Sequence, residues 1–155
     1  MSTATLTSTR STTGTGQPPS GTEVVVVRPE AEVMGRQSLP FFVGVSQATT
    51  GARGISMNVV LIPPSGAAEP HSHRGYETAI YVVKGNIMVR HGEGLADTTF
   101  IQAGDFMYMP AFMPHQPVNL DDNEPAVAIV ARNDANEQEN VEVFHSHPHS
   151  HSHSH

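Results

Sequence analysis

The chain contains no cysteine among its 155 residues. Without thiols there can be no disulfide framework, no thiolate nucleophile and no cysteine-based zinc or iron–sulfur site. Any metal chemistry must therefore use histidine and carboxylate ligands. Cationic side chains are also scarce, because eight Lys and Arg stand against fifteen Asp and Glu, for a formal charge of -7. Since non-specific affinity for nucleic acid comes from clustered cations, no nucleic-acid partner is expected.

Long hydrophobic runs are missing as well. The longest, Val24–Val27 and Ala126–Ala131, fall well short of the roughly 20 apolar residues that cross a bilayer, and no hydrophobic region typical of a secretory signal is present. The sequence therefore predicts no membrane partner, and we expect a soluble, cytoplasmic protein.

Both ends of the chain have a low-complexity composition. The first 22 residues contain 12 Ser or Thr and no acidic residue, which predicts a flexible tail over residues 1–22. Residues 145–155 alternate six histidines with serine and one proline. Such a tract binds divalent nickel, copper or zinc without forming a core, so it is either a native metal reservoir or a purification handle. A single domain is left at residues 23–144, a length that suits one core of moderate size.

Between the tails, short apolar segments alternate with turn residues, and helix-period patterning is nearly absent. Twelve prolines and thirteen glycines supply the turns. The predicted strands are Glu23–Arg28, Pro40–Ser46, Ile55–Ile62, Ala68–His73, Glu77–Val83, Ile87–His91, Thr98–Gln102, Phe106–Met109, His115–Leu120, Ala126–Ala131 and Val141–Phe144. Ten or eleven short strands at this spacing predict an all-β sandwich or barrel.

The predicted strand Glu77–Val83 is apolar on both faces. Ala79, Tyr81 and Val83 share the face of Glu77, while Thr78, Ile80 and Val82 form the other. Since only one face can line the barrel, the other must pack on something else. We expect a homodimer, with a monomer covered by an N-terminal strand as the alternative.

His71 and His73 are the first candidates for a functional site. In a strand they share one face about 6.6 to 7 Å apart, close enough for two imidazoles to bind one ion. Glu77 keeps the same parity, and His115 follows a glycine turn, an apolar strand and a proline bend. Two imidazoles and a carboxylate suit divalent iron, manganese, nickel or zinc with coordination positions left open.

Two segments resemble the motifs of the cupin family. Gly66 to Gly85 resembles the first motif, G(x)5HxH(x)3-4E(x)6G, and Gly104 to Asn119 resembles the second, G(x)5PxG(x)2H(x)3N. One residue fewer separates Gly66 from His71, one more separates Glu77 from Gly85, and Phe112 replaces the glycine of the second motif. The resemblance implies a small jelly-roll barrel with one divalent metal ion, Fe, Mn, Ni or Zn, held by His71, His73, Glu77 and His115.

The resemblance also implies a pocket at the mouth of the barrel. Tyr76, Tyr81, Met107 and Met109 are candidates for its wall, and ordinary core packing is the alternative for each. Arg36, Arg53 and Arg74 are candidates for binding a substrate carboxylate, and surface charge is the alternative.

Two functions remain open at this point. The first is a metal-dependent enzyme acting on a small organic acid, phenol or related metabolite, as a dioxygenase-like enzyme with iron or as an isomerase, decarboxylase or cyclase with manganese, nickel or zinc. The second is a non-catalytic, metal-stabilised module that binds or senses a small ligand, since fold does not decide between them.

Overall fold

The computed structural model describes residues 18–29, 32–35, 39–136 and 141–143. The predicted tails fall almost entirely outside these residues, because only residues 18–22 of the first are described, without regular secondary structure. Within the described residues, no helix is long and apolar enough to span a membrane.

Eleven strands in the described residues form two antiparallel sheets. The strands are β1 (Val33–Met34), β2 (Pro40–Val45), β3 (Ser56–Ile62), β4 (His71–His73), β5 (Thr78–Lys84), β6 (Asn86–His91), β7 (Asp97–Gln102), β8 (Phe106–Met109), β9 (His115–Asn119), β10 (Ala126–Arg132) and β11 (Val141–Val143). One sheet has the order β1-β2-β3-β10-β5-β8, and the other has the order β11-β4-β9-β6-β7. This architecture confirms the predicted all-β jelly-roll barrel.

The core lies between the two sheets and follows from the alternation of each strand. In β10, Ala126, Ala128, Val130 and Arg132 are buried, and the residues between them are half-buried. The five-stranded sheet contributes Ile87 and Val89 of β6 and Ile101 of β7, among others. Residues two apart face the same side of a strand, so each sheet presents one apolar row to the other.

The prediction of a strand at Glu23–Arg28 is wrong. Residues 24–29 have no regular secondary structure, and the Val24 side chain is 79% exposed. The four valines have high strand propensity, but four in succession lack the alternation that commits one face to the core. On the side of β2 away from β3, the described strand is instead the short β1.

A short helix, α1 (Gln47–Thr50), was not predicted. Ser46 and Thr49 form a reciprocal capping box, in which each side-chain oxygen accepts a hydrogen bond from the other's backbone N–H. Capping of this kind stabilises a single turn without an apolar face, so periodicity gives no sign of it.

Hydrogen bonds at both ends of the segment of residues 112–119 position the second motif in the barrel. The Phe112 N–H donates to the His73 carbonyl at 2.7 Å, which holds the loop before β9 beside β4. At the other end of β9, the Asn119 side-chain amide donates to the carbonyls of Ile62, Pro63 and Glu124 at 2.9 to 3.2 Å. These contacts fix β9 lengthwise, so that His115 lies directly across from His71.

Candidate metal centre

Three histidines converge inside the barrel. His71 and His73 project from β4, and His115 projects from the paired strand β9. Each is 3 or 4% exposed, and their ring centroids lie 4.2 to 5.1 Å apart. One nitrogen from each ring lies within 4.8 Å of the other two, and the Nε2 atoms of His73 and His115 are 3.1 Å apart. Three ring nitrogens thus surround one point.

The outer ring nitrogens are held by hydrogen bonds. His71 Nδ1 lies 2.7 Å from the Glu69 carbonyl, and His115 Nδ1 lies 2.8 Å from the Met113 carbonyl. A carbonyl only accepts, so each Nδ1 must bear the proton, and each neutral ring must present the lone pair of Nε2 inward. This fixes the tautomer that a metal ligand needs at two of the three histidines.

His73 differs from the other two because its Nδ1 faces the Tyr76 hydroxyl at 2.8 Å. A hydroxyl can donate or accept. In the structure as described, His115 Nε2 accepts, so His73 Nε2 donates to it, and Tyr76 donates to His73 Nδ1. If an ion instead takes the Nε2 atoms, His73 can move its proton to Nδ1 and donate it to the Tyr76 oxygen. Tyr76 thus allows His73 to change tautomer without losing its hydrogen bond.

The environment keeps these imidazoles neutral. Burial lowers the pKa of His71, against the opposing effect of its hydrogen bond to the Glu69 carbonyl. Burial also lowers the pKa of His73, and the neighbouring His115, His71 and Arg132 add to it, bringing the pKa from 6.5 to about 2. Since only neutral imidazole ligates, both residues remain competent ligands at neutral pH.

The structure does not bring Glu77 to the histidines, although the sequence predicted it as a ligand. Its side chain is exposed, and its carboxylate accepts a hydrogen bond from the Tyr108 hydroxyl at 2.6 Å, which raises the pKa of Tyr108. Between β4 and β5 the chain bends at Arg74 and Gly75, where Gly75 has a left-handed φ of 72°. The alternation of inward-facing and outward-facing side chains along β4 is interrupted at this bend. Glu77 therefore does not share the face of His73, and its side chain points away from the barrel interior.

Thr78 faces the barrel interior in place of Glu77. It is 2% exposed, it lines the same cavity as the three histidines, and within the described part of the chain its Oγ1 has no hydrogen-bond partner. The motif spacing contains the signal for this placement. Four residues separate His73 from Thr78 and six separate Thr78 from Gly85, so Thr78 satisfies both spacings of the first motif, whereas Glu77 misses the second by one residue. By these spacings Thr78, which lines the cavity, matches the carboxylate position of the motif better than Glu77 does.

A cavity extends from the three histidines into the barrel. It has a volume of about 570 Å³ including its open mouth, and its wall is mainly aliphatic. Its lining residues are Leu39, Val60, Ile62, His71, His73, Thr78, Ile80, Ile87, Val89, Ile101, Met107, His115, Pro117, Ala128 and Val130. An aliphatic wall with a few convergent polar groups is typical of a small-molecule site.

The four predicted pocket residues are distributed differently. Met107 lines the cavity. Met109 is buried in the core beyond the lining, and Tyr76 lies behind His73. The Tyr81 ring contacts Phe106, with centroids 4.7 Å apart, and belongs to the outward set of β5. Thr78, Ile80 and Val82 face inward along β5, so alternation places Tyr81 on the outer face of the same strand.

Neither Arg53 nor Arg74 lines the cavity. Arg53 and Arg74 are exposed, and Arg36 lies outside the described residues. Arg132, which was not predicted as a site residue, is 4% exposed at the inner face of β10. Its charge contributes to the lowered pKa of both His71 and His73. The sequence contains one signal for this buried position. Arg132 is the charged last residue of β10, whose other residues are all apolar.

The donor set fits a divalent transition metal. Three neutral imidazoles aimed at one point suit zinc, iron, nickel or manganese, and the backbone carbonyls and Tyr76 supply the hydrogen bonds that orient metal-binding histidines. Within the described residues, no carboxylate joins the three histidines. His71, His73 and His115 are therefore the ligand candidates that the described structure brings together.

Comparison with known proteins agrees with this architecture. The family model of the cupin domain matches residues 58–132, which contain all three histidines. Germin-like protein 3-1 of Oryza sativa subsp. japonica is 33% identical over 88 residues, covering 53% of this chain and 37% of that protein.

Solved structures of oxalate decarboxylase share the fold. The Lactobacillus farciminis enzyme, in a formate complex, has a TM-score of 0.59 at 25% identity, covering 70% of this chain and 32% of that chain. The Bacillus subtilis enzyme at pH 4.6 has a TM-score of 0.62 at 22% identity, covering 74% and 30%. The chain thus spans only about a third of the length of these relatives.

Proposed function

The chain belongs to the cupin superfamily, and we propose that it is a metal-dependent enzyme that acts on a small organic metabolite. The observation that supports this most directly is the convergence of three buried histidines at the end of an aliphatic cavity. Burial of three imidazoles costs free energy unless they are satisfied, and a bound ion satisfies the three inward lone pairs at once.

The bound ion would be held by His71, His73 and His115. Iron would supply oxygen chemistry typical of a dioxygenase, while manganese, nickel or zinc would supply Lewis-acid chemistry for isomerisation, decarboxylation or cyclisation. The names of the similar structures, oxalate decarboxylases, fit the second group, and the names alone do not choose the metal.

The residues of this chain would prepare the site in three ways. The carbonyls of Glu69 and Met113 hold two imidazoles in the ligating tautomer. The Tyr76 hydroxyl accepts a hydrogen bond from His73 Nδ1–H or donates one to Nδ1, according to the tautomer of His73. The aliphatic wall, including Met107 and Ile101, excludes water and binds the apolar part of a substrate. These contacts orient the histidine ligands and remove water from the substrate before any chemical step.

A non-catalytic binding or sensor module is the second candidate. The observation that favours it is that, apart from the three ligands, the cavity wall contains Thr78 as its only side chain that could exchange a proton, in the described residues. A threonine hydroxyl is a weak general base at neutral pH, so proton transfer in an enzyme would have to use a metal-bound group or the substrate itself.

The metal site is tested first, on protein ending at Phe144 so that the histidine tract cannot contribute. We expect about one divalent ion per chain by elemental analysis, and loss of most of it in His71→Ala and in His115→Ala. Glu77→Gln is the matched control, because the exposed carboxylate does not face the histidines and its replacement should leave occupancy unchanged. Stoichiometric metal in both histidine variants would contradict the assignment of the histidines as ligands. Loss of metal in Glu77→Gln would show that the Glu77 carboxylate is also a ligand.

Turnover is tested on the same protein loaded separately with iron, manganese, nickel and zinc. Small organic acids and phenols are supplied as substrates, and oxygen uptake and product formation are measured. An enzyme should give turnover that disappears in His115→Ala. Saturable binding of a compound without turnover under any of the four metals would favour the binding module.

A further inference from the structure

Thr78 is a polar side chain in an otherwise apolar part of the cavity wall. It lines the cavity together with the three histidines, and every other lining residue is apolar. Thr78 is 2% exposed, and within the described part of the chain its Oγ1 has no hydrogen-bond partner. Buried hydroxyls in native proteins are nearly always hydrogen-bonded. An unpaired hydroxyl beside a cavity therefore favours a partner supplied by a molecule bound there.

The chemistry of threonine determines what Thr78 can bind. The side chain belongs to the inward row of β5, next to Ile80, which also lines the cavity. Hydroxyl and methyl are both attached to Cβ, so a change of χ1 rotamer is enough to turn the hydroxyl toward a ligand. The hydroxyl donates one hydrogen bond and accepts others. It can therefore pair with a carbonyl oxygen or with another hydroxyl, and it needs no charge on the ligand.

The rest of the cavity wall favours an uncharged ligand. Among the described residues, no Lys, Arg, Asp or Glu lines the cavity. Arg132 is paired with Thr78 across β10 and β5, but it is not part of the lining. A carboxylate buried against aliphatic side chains without a charged partner costs much more free energy than a neutral hydroxyl or carbonyl that makes one hydrogen bond. The wall beside Thr78 therefore suits a neutral polar group.

We propose that Thr78 binds the polar group of the ligand and that this group is an uncharged hydroxyl or carbonyl. The apolar body of the ligand then packs against the aliphatic wall, which includes Val60, Ile80 and Val130. The ligand class is neutral, mainly apolar molecules with one hydroxyl or carbonyl group, such as simple phenols and ketones. The inference deepens the proposed function and rests on it for the use of this cavity as the substrate site.

The experiment compares phenol, toluene and benzoate, which share one ring and carry a hydroxyl, a methyl or a carboxylate. Their binding to the full chain, freed of metal by a chelator, is measured by calorimetry. Thr78→Val replaces the hydroxyl with a methyl group in nearly the same shape. We expect this variant to bind phenol about three- to tenfold more weakly, since one hydrogen bond is lost, and to bind toluene as tightly or more tightly. Benzoate should bind the wild type at least about tenfold more weakly than phenol, because its charge finds no partner in the wall.

Two matched variants and a stability measurement control for a merely structural role of Thr78. Thr78→Ser keeps the hydroxyl and should retain most of the phenol affinity. Thr98 is exposed on β7 and does not line the cavity, so Thr98→Val should bind all three compounds as the wild type does. The Thr78 hydroxyl has no partner in the described part of the chain, so the urea midpoint of Thr78→Val should not fall below that of the wild type. A lower midpoint would show that the hydroxyl is bonded within the protein, and it would overturn the proposal.

Three further results would refute the role of Thr78: no saturable binding of phenol to the wild type, equal phenol affinity in the wild type and Thr78→Val, or benzoate binding as tight as that of phenol. The proposed function fails separately. If the histidines bind metal and Thr78→Val binds phenol as the wild type does, the role of Thr78 is refuted while the metal site stands. If phenol binding depends on the Thr78 hydroxyl and no metal binds to the histidines, the ligand site stands while the proposed metal function is refuted.

Discussion

At the scale of single residues, Phe112 shows how the chain departs from a motif without losing its geometry. It replaces the motif glycine, yet keeps a left-handed φ of 62°, and its ring is 66% exposed. Its N–H holds the His73 carbonyl, so the backbone conformation is tied to the metal centre. A non-glycine residue in this region costs about 1 to 2 kcal/mol, which the hydrogen bond and the loop must offset.

Phe112→Gly should therefore stabilise the protein. Relief of backbone strain exceeds the added entropy of glycine in the unfolded chain, which leaves a net gain of about 0.5 to 1 kcal/mol in the free energy of unfolding. Urea unfolding measures this difference. Phe112→Ala is the control, since it removes the exposed ring and keeps the strain. An equal gain in both variants would show that the ring, and not φ, was the cause.

At the scale of elements, the outer face of β5 and β8 is apolar and exposed. β8 is at the edge of the six-stranded sheet as described, with Phe106 81% and Tyr108 60% exposed, and Val83 on the adjacent β5 is 48% exposed. Aromatic rows beside an open strand edge favour association with another sheet. We propose that a second copy of the chain covers this face, as a two-fold homodimer.

The proposed dimer predicts that Phe106→Ser shifts the protein toward monomer. The substitution removes the most exposed aromatic ring of the face without touching the core, so the fold should persist by circular dichroism while the mass from light scattering falls. Val24→Ser removes a similarly exposed apolar side chain from the N-terminal stretch and should leave the mass unchanged. A monomeric wild type, or a dimeric Phe106→Ser, contradicts this interface.

At the scale of the whole molecule, the buried histidines couple folding to pH. The pKa of His73 is lowered to about 2 by burial and by its neighbours His115, His71 and Arg132, so the folded state resists protonation while the unfolded state takes up protons below its pKa of 6.5. The unfolded state therefore binds more protons, and stability falls as pH decreases from 6.5 toward 2. His71, whose pKa is also lowered, acts in the same direction.

Metal-free protein ending at Phe144 should lose about 2 kcal/mol of unfolding free energy at His73 alone between about pH 7.5 and about pH 5. Urea unfolding at the two pH values measures the loss. His73→Gln, which cannot titrate, should lose correspondingly less. An equal pH dependence in the two proteins would mean that His73 is not held neutral. Added metal should enlarge the pH effect, because protons compete with the ion for the same imidazoles.

The sequence by itself determined the all-β barrel and the three histidines. Strand alternation is local, so His71 and His73 share a face whatever the rest of the chain does, and the spacing in the second motif identifies His115. The turn residues between strands are equally local, which is why ten of the eleven predicted strands are present in the described structure.

Only the tertiary structure decided what completes the site. Alternation cannot be counted through the bend at Gly75. Whether Glu77 or Thr78 faces the barrel interior therefore depends on how β5 pairs with β10. The position of Arg132 beside Thr78 likewise depends on the register between β10 and β5, in which residues 54 apart in the sequence are paired. Register is set by the packing of whole faces against each other, and that is a property of the assembled sheets rather than of any one segment.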